Sequence, residues 1–121
     1  MKRTRTSKSW MSEHISDSFV KQAQKDGYRS RAAYKLIEID EKYNILKKNM
    51  VVIDLGSSPG SWSQLASKKN GLNGKVIAID LIEMQPISNV EFIQGDFRDD
   101  NMLKEIEKNL NKLDVDLVIS D

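Results

Sequence analysis

The chain has 121 residues and a mass of 13.8 kDa, with 39% hydrophobic and 31% charged residues, a size that suits one domain. No apolar run approaches the ~20 residues needed to cross a bilayer. The absence of cysteine excludes a disulfide scaffold, a thiolate zinc site and a cysteine nucleophile, and the lone His14 excludes a multi-histidine metal cluster. The basic N-terminus is followed by no apolar h-region, so it does not read as a secretory signal, and a cytoplasmic protein is the default.

The net charge of +1 hides an asymmetry. Residues 1–35 carry nine Lys or Arg against three acids, a balance of +6, whereas residues 36–121 balance at −5. A basic arm on an acidic body suits contact with a polyanion at one end. A solvated surface helix behind an unstructured start accounts for the same charges equally well. A mitochondrial presequence ranks below both, because Glu13 and Asp17 soon interrupt the acid-free residues 1–12.

Residues 1–9 are polar and basic and are expected to be a disordered tail. Phe19, Val20 and Ala23 fall at helical spacing between Ser16 and Lys25, with Ser16 or Asp17 as N-cap and Gly27 as the stop. Ser30 is expected to cap a second helix reaching Tyr43, on which Ala33, Leu36, Ile37 and Asp40 keep the helical period and Arg31 and Lys35 share a face. Val51–Leu55 reads as a buried parallel strand; the Gly56–Gly60 loop then leads into a helix from Ser61 to Lys69. Val76–Asp80 and the shorter Val90–Ile93 are further strands. Met102, Leu103, Ile106, Leu110 and Leu113 mark an amphipathic helix before a fourth strand, Val115–Asp121. Strands alternating with helices indicate an α/β fold with a parallel sheet.

Ligands of such sheets bind at the carboxyl ends of the strands. Each strand here is expected to end in an acid or a glycine-rich turn: Asp54 with the Gly56–Gly60 loop, Asp80, Asp96 and Asp121. One acid after a strand is usually a turn or cap residue. Four at one edge repel one another unless a ligand supplies partners. The loop G-S-S-P-G-S-W matches a dinucleotide fingerprint only loosely, because Ser58 stands where backbone approach to a pyrophosphate needs glycine. Asp80 lies 24 residues beyond Gly56, at the position from which a carboxylate accepts both hydroxyls of a ribose. A nucleoside without pyrophosphate, such as S-adenosylmethionine, fits better; an αβ loop with no ligand is the alternative.

The run Trp10…Glu13-His14…Asp17…Val20…Gln22-Ala23-Gln24-Lys25…Arg29-Ser30-Arg31-Ala32…Lys35-Leu36…Glu38-Ile39 resembles the N-terminal extension of the FtsJ/RrmJ ribosomal RNA 2′-O-methyltransferases. Val52-Ile53-Asp54-Leu55-Gly56…Pro59-Gly60…Trp62-Ser63-Gln64 resembles their cofactor loop. Asp80-Leu81…Met84…Pro86-Ile87, Gln94-Gly95-Asp96-Phe97-Arg98-Asp99 and Val118…Ser120-Asp121 continue the likeness in order. It covers residues 10 to 121 without a gap and is greatest to the bacterial type that modifies a uridine of large-subunit rRNA.

The resemblance implies a Rossmann-like S-adenosylmethionine-dependent methyltransferase fold with an N-terminal helical extension. It divides the chain into the tail of residues 1–9, an RNA-facing extension of residues 10–48 and the first half of a methyltransferase domain, residues 49–121. It implies S-adenosyl-L-methionine as cofactor, with Gly60 and Trp62 lining the pocket, Asp80 on the ribose, Asp96 on the adenine amino group and Asp121 near the methionine moiety. Lys35 and Asp121 match the first two members of the family's catalytic Lys-Asp-Lys-Glu set. Arg29, Arg31 and Lys35 are expected to face the phosphates of 23S rRNA within the large subunit. No metal and no membrane are implied, and a monomer is expected. Trp10 and Tyr28 are expected either to stack on bases or to be buried, and His14 is read as structural. Ser57, Ser58 and Ser61 depart from the family's usual small residues and should be tolerated.

The family's sheet has seven strands, and this sequence supplies four, in the expected order 3-2-1-4. The expectation is a fold truncated after the fourth strand, with that strand an apolar edge that invites pairing or aggregation, and a chain that is marginal and inactive alone. A non-catalytic RNA- or ribosome-binding remnant is the alternative, and a nicotinamide-dependent oxidoreductase a remote one.

Overall fold

Glycine and asparagine end the helices of the fold, and β-branched residues fill its strands. The computed structural model describes residues 18–121; the tail, Trp10, His14 and the expected Ser16 or Asp17 cap lie outside the described residues. Helical backbone over residues 18–26, α1, stops at Gly27, whose φ of +84° suits a residue without Cβ. Of the three apolar residues at helical spacing, only Ala23 is buried, while Phe19 lies half exposed against the Tyr34 ring.

The second helix, α2, spans Ala33–Tyr43 rather than starting at Ser30. Ser30 does not cap it: its hydroxyl is shared with Ser61 at 2.8 Å, and the chain enters the helix through i→i−3 bonds from Ala33, Tyr34 and Lys35. Arg31 therefore precedes the helix, in the entering turn, instead of sharing a helical face with Lys35. Ala33 and Leu36 carry the buried stripe. Asp40, at the next position of that stripe, accepts the Leu46 amide at 2.8 Å and so organises the turn that follows Asn44.

β1 (Val51–Leu55), β2 (Lys75–Asp80), β3 (Val90–Gln94) and β4 (Leu117–Ser120) form one parallel sheet of order β3-β2-β1-β4. The expected order 3-2-1-4 is borne out, with Ile53 opposite both Ile77 and Val118. Alternation across the pleat sorts the core into two halves. Val52, Val76 and Ile119 pack with Ala33 and Leu36 of α2 and with Trp62, Leu65 and Ala66 of α3 (Ser61–Asn70). Ile53, Ile77 and Ile79 meet Met102 and Ile106 of α4 (Asp100–Leu110) on the opposite face. The expected α4 is too long by one apolar residue. Asn111 and Lys112 take left-handed φ values of 49° and 69°, so Leu113 leaves the helix and is half exposed.

The amino edge of the sheet is closed by reciprocal bonds. Buried Asn70 accepts from the Met50 amide (2.6 Å) and donates to the Met50 carbonyl (2.7 Å). A Cβ on Gly74 would overlap that carboxamide, so the close approach requires glycine there. Asp116 accepts from the Val51 amide at 2.7 Å while its own amide donates to the Val51 carbonyl. Lys75 reaches both Glu91 and the Asn109 carbonyl.

Candidate functional site

At the carboxyl edge the chain leaves β1 through residues 56–60 and turns into α3. The Gly56 and Ser57 amides both donate to the Ile79 carbonyl, drawing the loop over the end of β2. Gly60 has φ +118°, and a Cβ there would stand 2.9 Å from Ile87 Cδ1 and 3.0 Å from Met84 Sδ. Glycine thus lets the segment after β2 close onto the loop, and the side where its Cβ would stand faces Ile87, Met84 and Arg29.

Asp80 ends β2 where the sequence reading places it. Its Oδ2 accepts from the Ser58 amide (2.8 Å) and its Oδ1 from the Ile82 amide (3.0 Å). A carboxylate has about four acceptor sites, so half of its capacity is free to accept two neighbouring hydroxyls. Ser58 Oγ donates in turn to the Glu83 carbonyl, stitching the two loops together.

Asp96 lies two residues beyond β3 and is forked by Arg98, whose Nε and terminal nitrogen reach it at 3.0 and 2.9 Å and whose amide adds a third bond. These bonds hold its carboxyl below the usual carboxylate range. An exocyclic amine would have to use the last acceptor site on Oδ2 or displace the exposed Arg98 side chain. Trp62 is buried and its indole donates to the Ala32 carbonyl at 2.7 Å, so it supplies a wall and braces α2.

Asp54 is not at a strand end, as the sequence reading has it, but inside β1 and 1% exposed. It faces α3, where Ser63 Oγ donates to it at 2.8 Å. Burial pushes its carboxyl up to about 6; the Ser63 bond opposes the shift, and the charges of Asp121 and Asp80 add to it. Beside it, Ser57 Oγ is buried without a hydrogen-bond partner, the one such side-chain atom among the described residues. Buried polar atoms are almost always paired, so an unpartnered hydroxyl marks a place for a ligand atom. Asp54, Ser57, Trp62 and Asp121 line a cleft of about 80 Å³ there. Ligand pockets usually measure about 300–1,000 Å³, so this cleft has room for no more than one end of a ligand.

Asp121 follows β4 and accepts from Lys35 Nζ at 3.0 Å, joining the sheet edge to α2. The structure thus brings Lys35 and Asp121 together beside the cleft. Lys35 and Arg31 are both exposed. Arg29, grouped with them in the sequence reading, is directed elsewhere: its guanidinium donates to the carbonyls of Pro59 (3.0 Å), Gln85 and Pro86 (2.6 Å). Tyr28 packs edge-on to Tyr34, whose hydroxyl donates to Asp26 at 2.5 Å.

Sequence reasoning missed Ser57, Ser63 and the engagement of Arg29. The only signal for Ser63 was a small hydroxyl on the helix that follows an acid-containing strand. No group of three His, Asp or Glu among the described residues is placed to hold a metal ion, and no described helix is long and apolar enough to cross a membrane.

Comparison with known proteins adds an independent line. Residues 28–121 match the family model of the FtsJ-like methyltransferases. The ribosomal RNA large subunit methyltransferase E of Methylobacillus flagellatus is 59% identical over 121 residues, which are 100% of this chain and 58% of that protein. The protein of the same name from Nitrosospira multiformis is 57% identical over all of this chain and 59% of its own length. The chain therefore spans a little under three-fifths of these curated relatives. The crystal structure of a ribosomal RNA methyltransferase from Plasmodium falciparum superposes with a TM-score of 0.70 at 44% identity, over 78% of this chain and 56% of that one.

Proposed function

We propose, for a chain that belongs to the FtsJ-like methyltransferase family, that its carboxyl edge binds S-adenosylmethionine for transfer of a methyl group to a ribose 2′-hydroxyl of large-subunit rRNA. The observation that carries the reading is the unpartnered Ser57 hydroxyl in a cleft that Asp54 and Asp121 also line, at the edge where Asp80 keeps half its acceptor capacity. The ammonium of the amino-acid end fits the acidic cleft and a ribose fits Asp80, so the residues present suit this ligand.

When bound, the cofactor supplies a methyl group activated by the positive sulfur to which it is attached. The chain's residues bind and align. Asp80 would accept the two ribose hydroxyls, Ser57 and Asp54 would hold the amine, and Asp96 would offer its remaining acceptor site to the adenine amino group. Gly60 and Trp62 shape the walls. A sugar hydroxyl is a weak nucleophile, so the site must hold it in line with the methyl group and the sulfur. Lys35, held by Asp121, positions the ribose or its phosphate, and Asp121 stands where charge near the reacting centre is controlled. In the family that this chain resembles, proton removal falls to the second lysine of the set, which, like the glutamate, is not among these 121 residues. Residues 10–48 form the RNA-facing part, with Arg31 and Lys35 as phosphate contacts. Residues 49–121 form the cofactor-binding part.

Calorimetric titration of the 121-residue chain with S-adenosylmethionine tests the reading. The expected result is saturable binding that Asp80→Ala weakens on the order of 100-fold, through loss of two charge-assisted hydrogen bonds. A chain folded by circular dichroism that does not bind the cofactor, yet still binds structured RNA, would replace this reading with that of a non-catalytic RNA-binding module.

A further inference from the structure

We propose that Arg29 is a positioning residue of the cofactor site, a latch that locks the loop after β1 to the segment between β2 and β3. The inference rests on the cofactor reading above and gives Arg29 a task other than phosphate contact. Its guanidinium collects three backbone carbonyls, Pro59 from the first loop and Gln85 and Pro86 from the second. Carbonyl dipoles pointing at one spot repel one another unless a cation stands there, and the fixed fork of a guanidinium serves several acceptors at once.

Two further contacts show that the latch is built in. The Arg29 amide donates to Gln64 Oε1 at 2.9 Å and Gln64 Nε2 donates to the Gly27 carbonyl, so α3 holds the base of the Arg29 side chain. At its tip, Gly60 leaves space that the guanidinium, Met84 and Ile87 share; a Cβ on Gly60 would lie 3.2 Å from the Arg29 terminal nitrogen. The loops so joined carry Ser58, whose amide binds Asp80, and Ser57, whose hydroxyl faces the cleft. Groups that hold a binding constellation in register set its affinity without touching the ligand. Lysine cannot replace Arg29 fully, because a compact ammonium does not span three carbonyls.

Two measurements on Arg29→Ala and Arg29→Lys, each beside the wild-type chain, test the latch. The first is amide hydrogen exchange at Ser58, Gly60 and Ile82 without ligand. The second is the dissociation constant for S-adenosylmethionine, read beside the salt dependence of affinity for a structured RNA hairpin. The latch predicts faster exchange at those amides in Arg29→Ala, with Arg29→Lys intermediate. It predicts cofactor affinity lower by about 10-fold, the worth of a hydrogen bond to a charged group, and an unchanged slope of RNA affinity against salt. Unchanged exchange, with a salt slope lower by about one contact, would overturn it and make Arg29 a phosphate ligand. If the wild-type chain does not bind the cofactor, the exchange data still judge the latch, and that failure belongs to the cofactor reading alone.

Discussion

The two edges of the sheet are built from similar parts and finished differently. At the amino edge, Asn70 satisfies both polar groups of Met50, and Asp116 exchanges two bonds with Val51. The donors and acceptors of these two pairs are matched. At the carboxyl edge, Asp80 keeps half its acceptor capacity, Ser57 Oγ has no partner, and the Asp54 carboxyl is buried against one hydroxyl. The first edge spends these polar groups on its own backbone, and the second leaves polar capacity unused, which the proposed cofactor would take up. This division agrees with the general location of ligand sites at the carboxyl ends of parallel strands.

If the division is right, substitutions at the two edges should fail in different ways. Asn70→Ala should cost most in stability, about 3 kcal/mol, because it leaves a buried amide and carbonyl unpaired and opens a void. The urea midpoint reads this, and a loss as large from Asp80→Ala would break the comparison.

Asp54→Asn should act in the opposite direction and depend on pH. The folded carboxyl titrates at about 6, above the ordinary value of 3.8. Below the lower value both states hold the proton, so the substitution gains nothing. Between the two values the unfolded chain ionises first and wild-type stability falls as pH rises. Above the higher value the cost is complete. Asp54→Asn should therefore raise stability by up to about 2 kcal/mol at pH 8 and by almost nothing at pH 4. The same variant should bind a cationic ligand more weakly, and thermal melts with and without cofactor separate the two effects.

The smallest effect concerns the exposed pair. Lys35→Ala should change stability by less than about 1 kcal/mol, as exposed ion pairs generally do. Lys35→Ala and Arg31→Ala should each lower the salt slope of RNA binding by about one contact. A large loss of stability from Lys35→Ala would make its bond to Asp121 structural.

The sheet was legible because runs such as Val51–Leu55 and Val76–Asp80 admit few other readings, and alternation along them decides which residues meet α3 and which meet α4. Asp80 and Asp96 were legible as strand-end acids. Asp121 and Lys35 could be paired only through family resemblance, since 86 residues separate them. What escaped the sequence are interactions in which a polar side chain spends its bonds on distant backbone. Ser30 has the residue type of a cap but finds Ser61 instead, and Arg29 carries a charge that suits a phosphate but meets three carbonyls. Leu113 keeps the helical period past the point where Asn111 has already ended the helix. Backbone acceptors carry no residue code, so no pattern of side chains announces them.

A ligand that uses the reserve of acceptors around Asp80 and Ser57 should engage the carboxyl edge and leave the amino edge in place. Amide chemical shifts of the isotopically labelled chain, followed during titration with S-adenosylmethionine, test it most directly. The amides of Ser57, Ser58, Asp80 and Ile82 should shift and saturate together, while those of Met50, Val51, Asn70 and Gly74 stay in place. Shifts concentrated at the amino edge, or no saturable shift from a folded chain, would contradict it.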